Sequence, residues 1–192
     1  MGMLLQELGF TLNLAPVLDL EDTIWHCRSY YGSVEEVSAK ATGLVQGLHA
    51  QGIFATAKHF PGRTLNTLDT HKEQASAEIV EKDLFPFDYL ITQGVDFVMI
   101  NHLFTTGIVD SNNKPASVSA SVIHELRKRG FKGLVITDDL KMKGVSSLYT
   151  NKYELYVEAI HAGNNVLLNV YEEDPVQAIS FIDFSTVHFA VF

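Results

Sequence analysis

Five short apolar runs, at residues 12–18, 53–57, 95–100, 133–136 and 166–170, constrain this chain more than any other feature. Each is a few residues long and rich in Val, Ile, Leu and Phe. Such runs mark strands buried on both faces, as in a parallel sheet. Their starts lie about 30–40 residues apart, the length of one βα unit. Helical patterns fill the gaps. Ser33 with Glu36 forms a capping box that opens a helix running through Ala39, Leu44 and Leu48 to Gly52. A second helix is expected from near Ala77 to Gly94, with Pro86 breaking or kinking it. Ser119 or Ser121 caps a third, which runs to Gly130, and a fourth covers residues 153–162 and ends at Gly163. Alternating strand and helix predicts an α/β fold with a parallel sheet.

Polar residues gather just after the apolar runs: Asp19, Lys58 and His59, Asn101 and His102, Asp138 and Asp139, and Asn169. In α/β barrels the site lies at the C-terminal ends of the strands, so these positions predict one shared site. The chain has 192 residues and 46% hydrophobic content, enough for one globular core. It is short for a closed eight-stranded α/β barrel, which needs about 250 residues. A formal net charge of -9 argues against nucleic acid and anionic membranes as partners. The single cysteine, Cys27, excludes an internal disulfide framework. No apolar run reaches the 18 or so residues that span a membrane. The opening MGMLLQELGF lacks the basic region and cleavage site of a signal peptide.

Residues 58–71 read KHFPGRTLNTLDTH. Lys58 and His59 end an apolar run, Phe60, Pro61 and Gly62 turn the chain, and a polar loop delivers Asp69 and His71 two positions apart. Positions i and i+2 of an extended segment point the same way. One carboxylate can then hold one imidazole in a chosen tautomer, as a proton-transfer catalyst requires. Three further segments stand out: LAPVLDL at 14–20, Arg28-Ser29-Tyr30, and GLVITDDLKM at 133–142.

Together these strings resemble glycoside hydrolase family 3, in its β-N-acetylglucosaminidase branch, over about residues 8–170. The family pattern K-H-F-P-G-H-G-x-x-x-x-D-S-H is matched at Lys58, His59, Phe60, Pro61, Gly62, Asp69 and His71. Thr70 replaces the family's Ser, and Arg63 and Thr64 replace its His-Gly. The resemblance implies that Lys58 and His59 bind sugar hydroxyls and that Asp69 and His71 form a general acid/base dyad. It makes Asp138 the nucleophile, which attacks an anomeric carbon as the leaving group is protonated. Asp138 and Asp139 could instead bind a cation or cap the following turn. Arg28 matches a substrate-contacting Arg, against the alternative of a surface Arg; its guanidinium fork suits sugar oxygens. His102 is expected to line the site, or to be a buried, hydrogen-bonded histidine. Asp19 reads as structural, bound to backbone or to Arg28.

The implied fold is a partial TIM-type (β/α) barrel with about five of eight βα units. Residues 1–175 would be a partial N-terminal catalytic domain and residues 176–192 an atypical, Phe-rich tail. Nothing corresponds to the family's upstream D-Q-E-G-G strand end, so an N-terminally incomplete chain is expected. The implied activity is that of a retaining exo-β-N-acetylglucosaminidase acting on peptidoglycan-derived or chitin-like GlcNAc glycosides, without a cofactor or metal. Alternatives are an inactive remnant that serves as a binding domain, and a metal-dependent hydrolase using the His and Asp cluster. Open barrel edges predict self-association or complementation by another chain. Both cytoplasmic and cell-envelope or secreted locations are compatible with the sequence.

Overall fold

A computed structural model describes residues 1–20, 28–62 and 69–169, with Val176 and Ser180. Cys27, Arg63, Thr64, Val170 and nearly all of the Phe-rich tail lie outside the described residues. Four parallel strands form the main sheet: β1 (Leu12–Asn13), β2 (Phe54–Phe60), β4 (Phe97–Ile100) and β6 (Leu134–Thr137), in the order β1-β2-β4-β6. Four of the apolar runs therefore supply this sheet. The fifth contributes a single parallel bridge, Ile136 to Val166, and hydrogen bonds from Thr137 N–H to Val166 O and Leu168 N–H to Thr137 Oγ1. The fold is α/β, part of a TIM-type barrel.

The helices follow their local signals. Helix α1 (Gly2–Glu7) precedes β1, and α2 (Val34–His49) begins with the Ser33–Glu36 capping box in full. Its 16 residues bury Val37, Ala41, Val45 and Leu48, which recur at helical spacing. The segment expected to open the next helix is instead a strand. Residues of β3 (Ser76–Ile79) alternate exposed and buried and pair in parallel with β5 (Phe104–Gly107). That period-2 pattern suits a strand, and α3 (Glu81–Thr92) starts only afterwards. Pro86 lies inside α3, and the helix continues past it. Helix α4 (Ala120–Lys128) takes Ser119 as N-cap. After β6 come the short α5 (Lys143–Ser146) and α6 (Lys152–Ala162), which ends at Gly163 with φ 110°.

The main core lies between sheet and helices. Ala55, Ala57, Phe60, Val98, Ile100 and Val135 meet side chains of α2, α3 and α4. Phe60 packs edge-to-face on Phe87 at 5.3 Å, a geometry worth about 0.5–1.5 kcal/mol beyond burial. The opposite face of the sheet carries Phe97, Met99 and Ile136, flanked by Leu12, Leu14, Val166 and Leu168. Met99 and Ile136 thus occupy the axial face, as expected for a barrel interior. Ala55 does not: it belongs to the helix-side core. By strand alternation Lys58 falls on the axial side with Phe54 and Thr56. That parity puts the Lys58 ammonium at the mouth of the sheet.

Candidate active site

The sheet delivers most of its strand-end polar residues to one cleft, whereas Asn169 does not line it and donates to Tyr156 Oη. Asp19, Arg28, Lys58, His59, Asn101 and Asp138 line it, together with Thr70 and His71 from the loop after β2. Apolar side chains of Leu14, Met99, Leu103, Met142 and Leu168 complete the wall. A few polar groups converging on an apolar-walled cleft are the usual form of a small-molecule site.

His59 is the pivot of the strand-end side. The pairing of β2 with β4 shifts register between Lys58 and Phe60, leaving His59 as the extra residue. Such bulges re-aim a side chain. The His59 N–H donates to Asp19 Oδ1 at 3.3 Å, and ring Nδ1 lies 2.6 Å from Asp19 Oδ2. The ring's Nε2 is 3.8 Å from Asp138 Oδ2. Asp19 is 4% exposed, so this carboxylate is committed to His59 rather than solvent. The backbone bond agrees with the structural reading of Asp19; the bond to the His59 ring, 40 positions away, was not anticipated, and their shared place at strand ends was the available signal. Asn101 braces the same turn, its amide donating to the carbonyls of His59 (3.3 Å) and Gly62 (3.1 Å). Gly62 has φ 105°, and a Cβ there would lie 2.8 Å from the Asp83 Cβ, so only glycine fits.

Asp138 follows β6. Its N–H donates to Ile100 O at 2.9 Å, and its Oδ1 accepts from the Asp139 N–H at 2.9 Å. Burial opposes ionisation, yet His59, His102, the Asp139 N–H and Lys58 outweigh it and hold the Asp138 carboxyl below the usual carboxylate range. Asp139 turns away from this arrangement. Its Oδ1 accepts from the Lys141 N–H at 3.1 Å and caps the following turn. Burial pulls the Lys58 ammonium below its ordinary value, with Arg28 adding to the effect and Asp138 and Asp19 opposing it.

The other side of the cleft is a loop. Asp69 Oδ1 accepts from the His71 N–H at 3.0 Å and lies 2.9 Å from its ring Nδ1. The i, i+2 pair is therefore formed, with the ring turned by its own neighbour. Partial burial works against ionisation of Asp69, but the His71 N–H and ring, helped by Lys72, hold its carboxyl below the usual range. The His71 side chain remains 51% exposed.

His102 is brought close but not onto the wall. It is fully buried, with Nε2 donating to Asp139 O at 2.9 Å and Nδ1 accepting from Ser117 Oγ at 2.7 Å. The carbonyl partner fixes the tautomer, and burial keeps the ring below its ordinary histidine pKa. Of the seven residues singled out by sequence, six therefore touch the cleft or its dyad and His102 stands behind it. Among the described residues no group of three or more His, Cys, Asp or Glu is arranged to hold a metal.

Parallel strands with carboxylates and imidazoles at their C-terminal ends are the site architecture of barrel-type α/β proteins. Comparison with known proteins narrows that class. The profile of the glycosyl hydrolase family 3 N terminal domain matches residues 1–183, and the chain belongs to this family. A beta-hexosaminidase from Actinobacillus succinogenes is 37% identical over 181 residues, covering 88% of this chain and 51% of that protein. A family 3 beta-N-acetylglucosaminidase from Paenibacillus sp. str. FPU-7 superposes with TM-score 0.80 at 33% identity, over 88% of this chain and 34% of that one. A zinc-bound structure of CbsA from Thermotoga neapolitana gives TM-score 0.82 at 29% identity, over 97% of this chain and 44% of that one. The chain spans about half the length of the curated relatives it matches.

Proposed function

We propose that this chain carries the catalytic centre of a retaining exo-β-N-acetylglucosaminidase acting on peptidoglycan-derived or chitin-like GlcNAc glycosides. One observation carries the reading: an ionised carboxylate, Asp138, and an imidazole held by its own carboxylate, His71 with Asp69, line one cleft. In the first step an Asp138 oxygen attacks the anomeric carbon. The bond to the leaving oxygen breaks, and His71 gives that oxygen a proton. In the second, His71 takes a proton from water, the water oxygen attacks the anomeric carbon, and the bond to Asp138 breaks. Asp69 keeps the His71 ring oriented through both steps. Lys58, His59 and Arg28 hold the terminal sugar, and His102 fixes the Asp139 carbonyl beneath the nucleophile's strand exit. These steps use no cofactor or metal.

The test is turnover of a chromogenic β-GlcNAc glycoside beside the matching β-glucoside. The GlcNAc compound is expected to be the better substrate, and Asp138→Ala to lower turnover by on the order of 10³-fold or more. Equal or reversed preference sinks the branch assignment. A chelator is expected to leave turnover unchanged; loss of activity would favour the metal-dependent alternative. No turnover from a folded chain would favour a binding domain. The exposed Met1, Met3, Leu4, Leu8 and Phe10 and the sheet edge at β1 also predict self-association, measured by sedimentation against concentration.

A further inference from the structure

The dyad loop is seated on the segment that leaves Asp138. Thr70 stands between Asp69 and His71 and is 6% exposed, whereas the His71 side chain is half open. Within the loop, Lys72 N–H and Glu73 N–H both donate to Asp69 O, at 2.9 and 3.2 Å. These bonds shape the turn but do not place it. Across to the segment after Asp138, the Gly144 N–H donates to Thr70 O at 2.9 Å. A Cβ at position 144 would lie 2.9 Å from Thr70 O, 3.2 Å from Glu73 O and 3.2 Å from Thr70 Cβ. Two of these three neighbours are backbone atoms, so accommodating a side chain means moving the loop. Moving α5 instead is opposed by Val145, which is fully buried with Val118, Leu140 and Leu155. Gly144 does not adopt a positive φ, so its own backbone does not call for glycine. The close approach does.

We propose that Gly144 is a positioning residue that docks the Asp69–His71 loop onto the Asp138 segment and so sets the separation of acid/base and nucleophile. The catalytic consequence rests on the function proposed above; the docking itself does not. Asp138 and Gly144 share one short segment, so the latch references the loop to the nucleophile rather than to the sheet at large.

The experiment compares Gly144→Ala with Gly43→Ala in the full chain. Gly43 sits in α2 with open space around its Cβ position, which makes it a control for the change itself. The readouts are hydrogen exchange at the residue 144 amide and turnover of β-GlcNAc glycosides with good and poor leaving groups. For Gly144→Ala the amide is expected to exchange at least about 10-fold faster while cooperative unfolding is kept. Its kcat should fall by about 10–100-fold with little change in KM, as for an ångström-scale misplacement of a catalytic group. The loss should be greater for poor leaving groups, and azide, which needs no base, should restore part of the second step. Gly43→Ala should change neither readout. Unaltered exchange in Gly144→Ala overturns the latch, and faster exchange with full kcat overturns the positioning role. If the unsubstituted chain turns over no GlcNAc glycoside, the proposed function fails while the exchange result still decides the latch. If Gly144→Ala does not fold, the unsubstituted chain decides: the Gly144 amide should open together with those of Lys72 and Glu73. Free exchange of Gly144 in the folded chain would overturn the proposal.

Discussion

Asp138 and His59 sit at the ends of paired strands, whereas Asp69 and His71 sit on a loop shaped by hydrogen bonds within itself. On the strand side each group is tied to a distant part of the chain: His59 to Asp19, the Asp138 N–H to Ile100, and Asn101 to two carbonyls of the β2 turn. On the loop side the Asp69–His71 bonds span two residues, and the Gly144 N–H ties the loop to α5. The contrast teaches how one cleft divides labour. Asp138 and the charged groups around it are placed by the fold. The Asp69–His71 pair is a local hydrogen-bonded arrangement beside them. Substitutions should therefore separate the two: loop changes should cost turnover, and strand-end changes should cost turnover and stability together.

The largest expected effect on the loop side comes from His71→Ala. Turnover of glycosides with poor leaving groups should fall by about 10²–10⁴-fold, the range for a lost general acid/base. Because the side chain is half exposed, thermal unfolding should shift little, by within about 0.5 kcal/mol. A large loss of stability would show that the loop is integral to the fold and would erase the distinction. On the strand side, Asp19→Ala should lower turnover by about 10²-fold, since His59 loses the group that orients it. It should also cost about 1–3 kcal/mol in denaturant unfolding, because a largely buried N–H and ring nitrogen lose the partner that a 4%-exposed carboxylate supplies. Retained stability would sink the claim that this side is built by the fold.

A smaller effect concerns pH. Burial lowers the folded-state pKa of His102 below the ordinary value of about 6.5. Below that value the unfolded chain binds a proton that the folded chain refuses, so stability should fall as pH drops from about 6.5. His102→Gln should flatten this slope, by at most about 1.4 kcal/mol per pH unit, the limit for one proton. The signs for Asp138 and Asp69 differ. Their folded values are depressed, so their contribution is complete above the ordinary carboxylate range and is lost only as pH falls through the lowered values. An unchanged slope in His102→Gln between pH 7 and 5 would contradict the assignment.

How far the sequence could be read follows the same division. Buried parallel strands announce themselves as apolar runs, and β1, β2, β4 and β6 fall on four of the five. The capping box at Ser33 located α2 because its bonds are local. The dyad was legible for the same reason: Asp69 and His71 are two residues apart. The misses are non-local. A strand buried on both faces has no period to show which face a residue takes, so the run at 53–57 did not reveal that Ala55 lies on the helix side. The pairing of β3 with β5 joins residues 28 positions apart, as Ser76 with Phe104, and Ser76–Ile79 read as the start of a helix. The Asp19–His59 pair and the Gly144 latch depend on the assembled sheet and the packing of α5, which no short motif encodes.

The central claim is that Asp138 is the group that forms a covalent bond to the sugar in the cleft it shares with His71. A slow 5-fluoro GlcNAc donor with a good leaving group, followed by proteolysis and peptide mass spectrometry, tests it directly. A single glycosyl adduct on Asp138, absent in Asp138→Ala, is the predicted result. An adduct on Asp139, whose carboxylate caps the following turn, would contradict it.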